Sequence, residues 1–329
     1  MGLGGWQVPQ DLQVDPIMKV YRINRAANST SIPSMLVRGR YYGFFQRHPG
    51  LPFILPAMII LLGVIIYPIF YATFIGFFEK LLTKRGTTFV GFKNFYFVLT
   101  DPVFQRSAVN TVIFMVVSIP LSFGVGFSLA LLMRRITWGR RFFRVALIAP
   151  MAMAPLVVGL TWRWMYNPLF GLINWVFSRV GLPQQAWLAQ AHTAMAAVIF
   201  VDIWEWAPLV FLIIYAGLSG LPHEPYEAAA LDGASAWMTF RYVTLPMLKP
   251  VILVALLLRS VDAFRTFDIA WVLTEGGPGY ATELLSLYIY RTAFYFGNLG
   301  RAAAASLIML IGMSTIALVY FRFLYQEVD

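Results

Sequence analysis

The 329-residue chain contains no cysteine, which excludes disulfides, thiolate metal ligands and cysteine nucleophiles. Histidine is scarce. His48, His192 and His223 are far apart, and without an HxxxH or HExxH spacing they do not make a zinc centre. No Gly-Lys dipeptide occurs, so there is no P-loop and any ATP must be handled by a partner. Charge is also in short supply. Charged residues make up 12% and hydrophobic ones 59%, against about 25% and about 45–50% in soluble domains. These figures exclude a disordered chain and a charged nucleic-acid binder. With a mean hydropathy of +0.70, they describe a polytopic membrane protein. The formal charge of +10 is then read as lysine and arginine gathered on cytoplasmic loops.

What is abundant is long apolar sequence. A helical span needs about 20 apolar residues. Six runs qualify or come close: 51–78, 107–133, 145–162, 193–218, 250–274 and 302–321. The third is the shortest and is interrupted by Pro150 and Pro155. Backbone groups in lipid must pair internally, and the runs lack period-two alternation, so helices are expected and a β-barrel is not. The expected fold is all-α, with six transmembrane helices over 51–329.

Sidedness is read from the short segment after the second run. Arg134, Arg135, Arg140, Arg141 and Arg144 fall within 11 residues that hold no acid, which places this segment inside and both termini in the cytoplasm. Residues 1–34 are polar, carry Pro9, Pro16 and Pro33 and lack an apolar core. A loosely ordered cytoplasmic N-terminus without a secretory signal is expected there. Residues 35–50 mix Arg38, Arg40 and Arg47 with Tyr41, Tyr42, Phe44 and Phe45, as an interfacial helix or a juxtamembrane anchor would. Between the third and fourth runs, 172–180 has the pattern of an amphipathic surface helix amid Trp162, Trp164, Trp175 and Trp187.

The cytoplasmic loop 219–249 is the most informative segment. Pro225 suits a first helical turn, where its missing N–H costs nothing. An Ala-rich helix over 226–232 follows, and Gly233 ends it without a Cβ penalty. A second helix over 234–244 is expected to stop before Leu245-Pro246, because the residue before proline avoids the helical region. The small side chains of Ala228, Ala229 and Ala230 suit a close fit in a cleft of another protein, where Glu227 and Asp232 can reach cationic partners.

Glu227-Ala228-Ala229, Asp232-Gly233 and Leu245-Pro246 closely resemble the EAA loop of binding-protein-dependent ABC transporter permeases, in spacing and in position between the fourth and fifth of six spans. Two further stretches are similar to the carbohydrate-type members of that family. These are Trp162–Asn174 and Leu273–Gly279, the latter followed by Ala281-Thr282-Glu283 and Leu287–Tyr290. The resemblance is to the compact six-span members of the maltose-permease-F-like group.

The resemblance implies a type I ABC importer permease fold in a bacterial-type cytoplasmic membrane. It implies a second permease subunit, two ATP-binding subunits that hold ATP and Mg, and an extracytoplasmic solute-binding protein. This chain would itself be a transport subunit with no catalytic residue, no metal and no nucleic-acid partner. Its coupling residues would be Glu227, Ala228, Ala229, Asp232, Gly233, Leu245 and Pro246. The solute class would be a sugar, polyol, glycoside or glycerol-phosphate-like compound.

The charges inside the apolar runs point the same way, because ionisable groups at bilayer depth face a cavity or a partner. Asp202 and Glu205 lie three apart on the fourth run, next to Trp206. Arg259, Asp262, Arg265 and Asp268 recur every third residue on the fifth. On one helix this series would drift about 60° per step, so its two ends would face different surfaces. Two uses remain open: pairing of span with span, or lining of a solute path by Asp202, Glu205, Trp206, Arg265, Asp268 and Trp271. Gly276, Gly277 and Pro278 are read as a turn and as a candidate contact for the binding protein. An integral-membrane enzyme would need clustered acids or histidines at the membrane surface. A stand-alone secondary transporter would show inverted repeats and broken helices. The sequence displays neither pattern clearly.

Overall fold

A computed structural model describes residues 50–325. The expected N-terminal segment 1–34, residues 35–49 of the expected interfacial helix, and residues 326–329 lie outside the described residues. The chain divides into two units at Ile65/Ile66. Of the first, the described part is α1 (Leu51–Leu61) and most of the π turn Leu62–Ile66. Pro52 starts α1, Pro56 lies within it, and Phe53 to Ile65 are exposed, apolar or small.

The second unit begins with α2 (Tyr67–Gly76). A two-stranded antiparallel hairpin, β1 (Phe78–Glu79) and β2 (Thr88–Phe89), leads to α3 (Lys93–Thr100). α4 (Pro102–Arg135) is the longest helix. Its ends explain its length. The Asp101 side chain accepts the Val103 N–H at 2.9 Å, Pro102 occupies the first turn, and Arg134 and Arg135 lie at the negative end of the helix dipole. α8 (Ala191–Ser219) is the central helix and packs along α4. A Cβ on Gly126 would lie 2.6 Å from the Ala207 carbonyl and 2.8 Å from the Phe211 nitrogen. Only glycine lets α4 and α8 approach so closely.

The core follows from this pairing. Phe114, Val158, Trp162, Val198, Val201 and Leu287 form one buried cluster. Met133, Val210, Phe211, Ile214 and Leu248 form another near the arginine-bearing end of α4. Val98, Phe104, Leu285, Tyr288 and Ala304 form a third. Apolar side chains that remain exposed, such as Val112 and Val116 on α4 and Ile311 and Leu318 on α14 (Leu299–Tyr325), form a surface suited to lipid or to other subunits.

Among the described residues, five helices are long and apolar enough to cross a membrane: Phe53–Gly76, Pro102–Arg135, Ala191–Ser219, Ala236–Phe264 and Leu299–Phe323. The third run differs from a simple span. It is split into α5 (Arg140–Ile148), a 3-10 turn Pro150–Ala152 and α6 (Pro155–Met165). Pro150 and Pro155 each open a new helical segment because neither can donate to the turn before it. α7 (Leu172–Arg179) is the expected surface helix. Buried Asn174 fixes it, donating to the Pro168 and Gln185 carbonyls at 3.2 and 2.9 Å and accepting from Trp187 Nε1 at 2.9 Å.

Two expected boundaries need correction. The helix after Gly233 does not stop before Leu245-Pro246. α10 (Ala236–Thr239), a π turn Phe240–Thr244 and α11 (Leu245–Phe264) run as one rod. The wider π turn accommodates the clash that Pro246 would otherwise make with the preceding turn. The fifth run is not one helix to residue 274. α11 ends at Phe264, and α12 (Asp268–Thr274) starts afresh with Asp268 in its first turn, at the positive end of its dipole.

Candidate functional site

The motif loop folds as a short helix held at one point. α9 (Glu224–Leu231) carries Pro225 in its first turn and has no buried residue. Gly233, at φ +72°, takes the left-handed position, and the Ala234 N–H closes the helix end on the Ala229 carbonyl at 2.9 Å. Glu227, Ala228, Asp232 and Gly233 are exposed, with Ala229 half-buried. Leu231 is 90% and Trp237 67% exposed, an apolar surface that no described residue covers. The tether is Tyr226. Its hydroxyl donates to Thr244 Oγ1 at 3.1 Å, and the Arg134 guanidinium lies 5.8 Å from its ring centroid. Leu245 and Pro246 do not mark the end of the segment but continue its second half into α11.

The intramembrane charges form a buried network. Arg259 on α11 donates to Asp202 on α8, and Ser118 on α4 donates to the same carboxylate oxygen. Arg259 also reaches Ser118 Oγ at 2.6 Å and Ser122 Oγ at 3.1 Å, and lies 3.5 Å from Asp262. Asp202 and Arg259 are both 0% exposed, so this pair locks α4, α8 and α11 together. Glu205 is buried one turn on, and its Oε2 has no hydrogen-bond partner among the described residues. Asp262 carries the network outward to exposed Arg265 at 3.2 Å. Asp268, exposed at the start of α12, belongs to a different helix from Arg259. The drift expected for a single helix therefore does not apply.

Trp271 belongs to an aromatic group and not to the charge network. Its ring stacks on Phe267 at 5.9 Å and 10° and meets Tyr290 at 5.1 Å and Tyr295 at 6.0 Å. Tyr295 is 65% exposed. Trp206 is half-buried on α8.

The glycine-rich segment is a tied loop between α12 and α13 (Leu285–Tyr290). Thr282 Oγ1 donates to the Gly277 carbonyl at 2.8 Å and lies 2.7 Å from Thr274 Oγ1. Asn110 on α4 donates to the Tyr280 and Glu283 carbonyls at 2.8 and 3.0 Å. Gly276 is buried, Gly277 and Pro278 are half-buried, and Gly279 and Tyr280 are exposed. The candidate contact Gly276–Pro278 is thus buried or half-buried, and the exposed residues of the loop are Gly279 and Tyr280, just beyond it.

Beneath the loop, the fully buried Glu283 carboxylate lies 3.0 Å from Arg291. Burial pushes this carboxyl up to about 7 from an ordinary 4.5, against the opposing pull of Arg291. Because the folded value is the higher one, the group contributes fully below about 4.5, and its contribution is lost as pH rises through about 7. Protection factors of the loop amides around Thr282, corrected for intrinsic base-catalysed exchange, are expected to fall above this range, whereas those of Glu283→Gln stay constant throughout. Protection factors in the parent chain that stay constant across this range would contradict the assignment.

Ser118, Ser122, Glu283 and Arg291 were not among the sequence candidates, whereas Arg259 and Asp262 were, as members of the charged series of the fifth run. Ser118 and Ser122 carried a weak signal, since serines four apart share one face of a helix within a charge-free run.

Residues 107–328 match the family model described as "Binding-protein-dependent transport system inner membrane component". The chain is 36% identical over 273 residues to the trehalose/maltose transport system permease protein MalF of Thermococcus litoralis, covering 83% of this chain and 92% of that one. It is 34% identical over 268 residues to the sulfoquinovosyl glycerol transport system permease protein SmoG of Agrobacterium fabrum, covering 81% and 87%. Among solved structures, a chain of a bacterial alginate ABC transporter, in complex with an alginate pentasaccharide-bound periplasmic protein, superposes with a TM-score of 0.75. That alignment has 22% identity and covers 86% of this chain and 96% of that one, a likeness of fold.

Proposed function

We propose, because the chain belongs to the family of binding-protein-dependent transport system inner membrane components, that it forms one half of the translocation pathway of an ATP-driven importer. The solute is of the sugar type, in keeping with the trehalose/maltose and sulfoquinovosyl glycerol systems of its relatives. A second permease completes the six-span-per-subunit pathway, with both termini in the cytoplasm. An extracytoplasmic binding protein delivers the solute, and the tip of the 276–280 loop offers one contact for it. ATP and Mg belong to two partner subunits, in which α9 docks.

The observation that carries this reading is α9 itself. It is a short helix with no buried residue, closed by a left-handed Gly233 and joined through Tyr226 to the base of α4 and to the π turn below α11. A rigid element seated in a cleft that changes shape can contact the two states differently, as coupling requires.

The charges and aromatics of the fourth and fifth runs divide between two tasks. Asp202 and Arg259 serve as a lock between helices. Glu205, Trp206, Arg265, Asp268 and Trp271 remain as candidate pathway groups, offering carboxylates for hydroxyls and aromatic faces for sugar rings. The test is co-purification from a strain that also produces the neighbouring transport subunits. Parental chain is expected to bring down stoichiometric ATP-binding subunit and to support ATP-dependent uptake in proteoliposomes. Solute uptake at the parental rate by the chain alone, without ATP or partner, would instead establish a stand-alone transporter.

A further inference from the structure

The arginine-bearing end of α4 and the start of the α10–α11 rod enclose a groove of about 800 Å³. Leu131, Leu132, Trp237 and Phe240 supply its apolar walls, and Arg134 and Arg135 stand along it. We propose that the groove is a binding site for the headgroup and upper acyl chains of an anionic phospholipid from the cytoplasmic leaflet.

Three features argue for this occupant. The first is depth. Leu131 and Leu132 belong to the charge-free run 107–133, and Arg134 and Arg135 follow it directly. The apolar wall is therefore at acyl depth and the guanidinium groups at the level of phosphates. A water-soluble subunit does not reach the first, and a soluble anion has no use for it. The second is charge. Among the described residues, Arg134 and Arg135 form no ion pair, and neither do Arg140, Arg141 and Arg144 in the same 11-residue segment. The third is composition. An exposed tryptophan beside arginines is a membrane-interface pattern, and guanidinium forks match phosphate oxygens.

Occupancy has a mechanical reading as well. Arg134 lies over the Tyr226 ring, and Thr244, which accepts from the Tyr226 hydroxyl, also lines the groove. A phosphate that draws Arg134 toward the groove thus acts on the Tyr226 tether of α9, and the lipid tunes coupling.

The experiment uses the assembled transporter in nanodiscs, with a photoreactive phosphatidylglycerol or the matching phosphatidylcholine as probe. Labelling is expected at residues 131–135 and 236–240, with the glycerol lipid preferred. Each arginine near a membrane surface is worth about fivefold in anionic-lipid affinity, so R134Q/R135Q is expected to lower labelling about 25-fold. The double lysine variant should keep most of it. R135Q alone, which disturbs no contact to Tyr226, should still lose about fivefold and covers the case in which the double variant fails to assemble. Equal labelling by both lipids would overturn the proposal. So would competition by soluble glycerol phosphate, or capture of a protein subunit by a photoreactive residue at position 237.

Discussion

Arg259→Met is expected to cost the folded chain about 3–5 kcal/mol, the penalty for leaving one member of a buried ion pair alone. The substitution fits the volume but strips Asp202, 0% exposed, of the Arg259 cation and leaves Ser118 as its one donor among the described residues. Monodisperse protein in detergent should largely vanish, and whatever survives should unfold at a markedly lower temperature. The informative partner is the double variant Asp202→Leu/Arg259→Met. Replacing both charges by apolar groups removes the desolvation problem, so most of the stability is expected to return. Asp262 keeps Arg265 as its partner in that background. A double variant as unstable as the single one would show that the pair does not act as a unit. Recovery of folding without recovery of uptake would assign the same charges a role in the pathway.

The second large effect is expected at Gly233. Nothing lies within 4 Å of a Cβ built there, yet φ is +72°. A substitution is therefore opposed by the backbone and not by a neighbour. The left-handed conformation costs an ordinary residue about 1–2 kcal/mol, more when β-branched, while asparagine tolerates it better. Gly233→Val is thus expected to redirect the end of α9 and lower ATP-driven uptake on the order of tenfold or more. Gly233→Asn should lose much less. Because α9 is exposed, the thermal midpoint should hardly move, which separates this effect from that at Arg259. ATP hydrolysis should persist while uptake falls. Parental uptake by the valine variant would remove α9 from the coupling route.

Much of the architecture was legible because bilayer-spanning helices announce themselves by length and apolarity. The runs at 107–133, 193–218 and 302–321 became α4, α8 and α14 with only their ends extended. The effect of proline and the continuity of the helices were less legible. Leu245-Pro246 looked like a stop, but a π turn absorbs it and the rod continues. The fifth run looked unbroken, because nothing local in Arg265-Thr266-Phe267 marks the end of α11. The α9 segment was readable almost residue by residue, since its proline, alanines and glycine act locally. The charge network was not. Ser118 and Asp202 are 84 residues apart, and Asp202 and Arg259 are 57. Their meeting depends on how three helices pack, as does the burial that makes Glu283 a titrating group near neutrality.

The unbroken passage from Ala236 to Phe264 has a consequence for how motion travels. A rod that bends at a hinge dissipates a push, whereas a continuous one converts it into tilt. From Phe240 to Arg259 is 19 residues, about 29 Å at helical rise. A fulcrum where α11 crosses α8 would turn a small sideways step at the cytoplasmic end into an opposite swing at the Arg259 end. The buried ion pair, which fastens that end of the rod to α8, would then have to yield to the swing or carry α8 with it. The transporter's stroke would be set by where the fulcrum lies along the rod as well as by how far the partner subunits move.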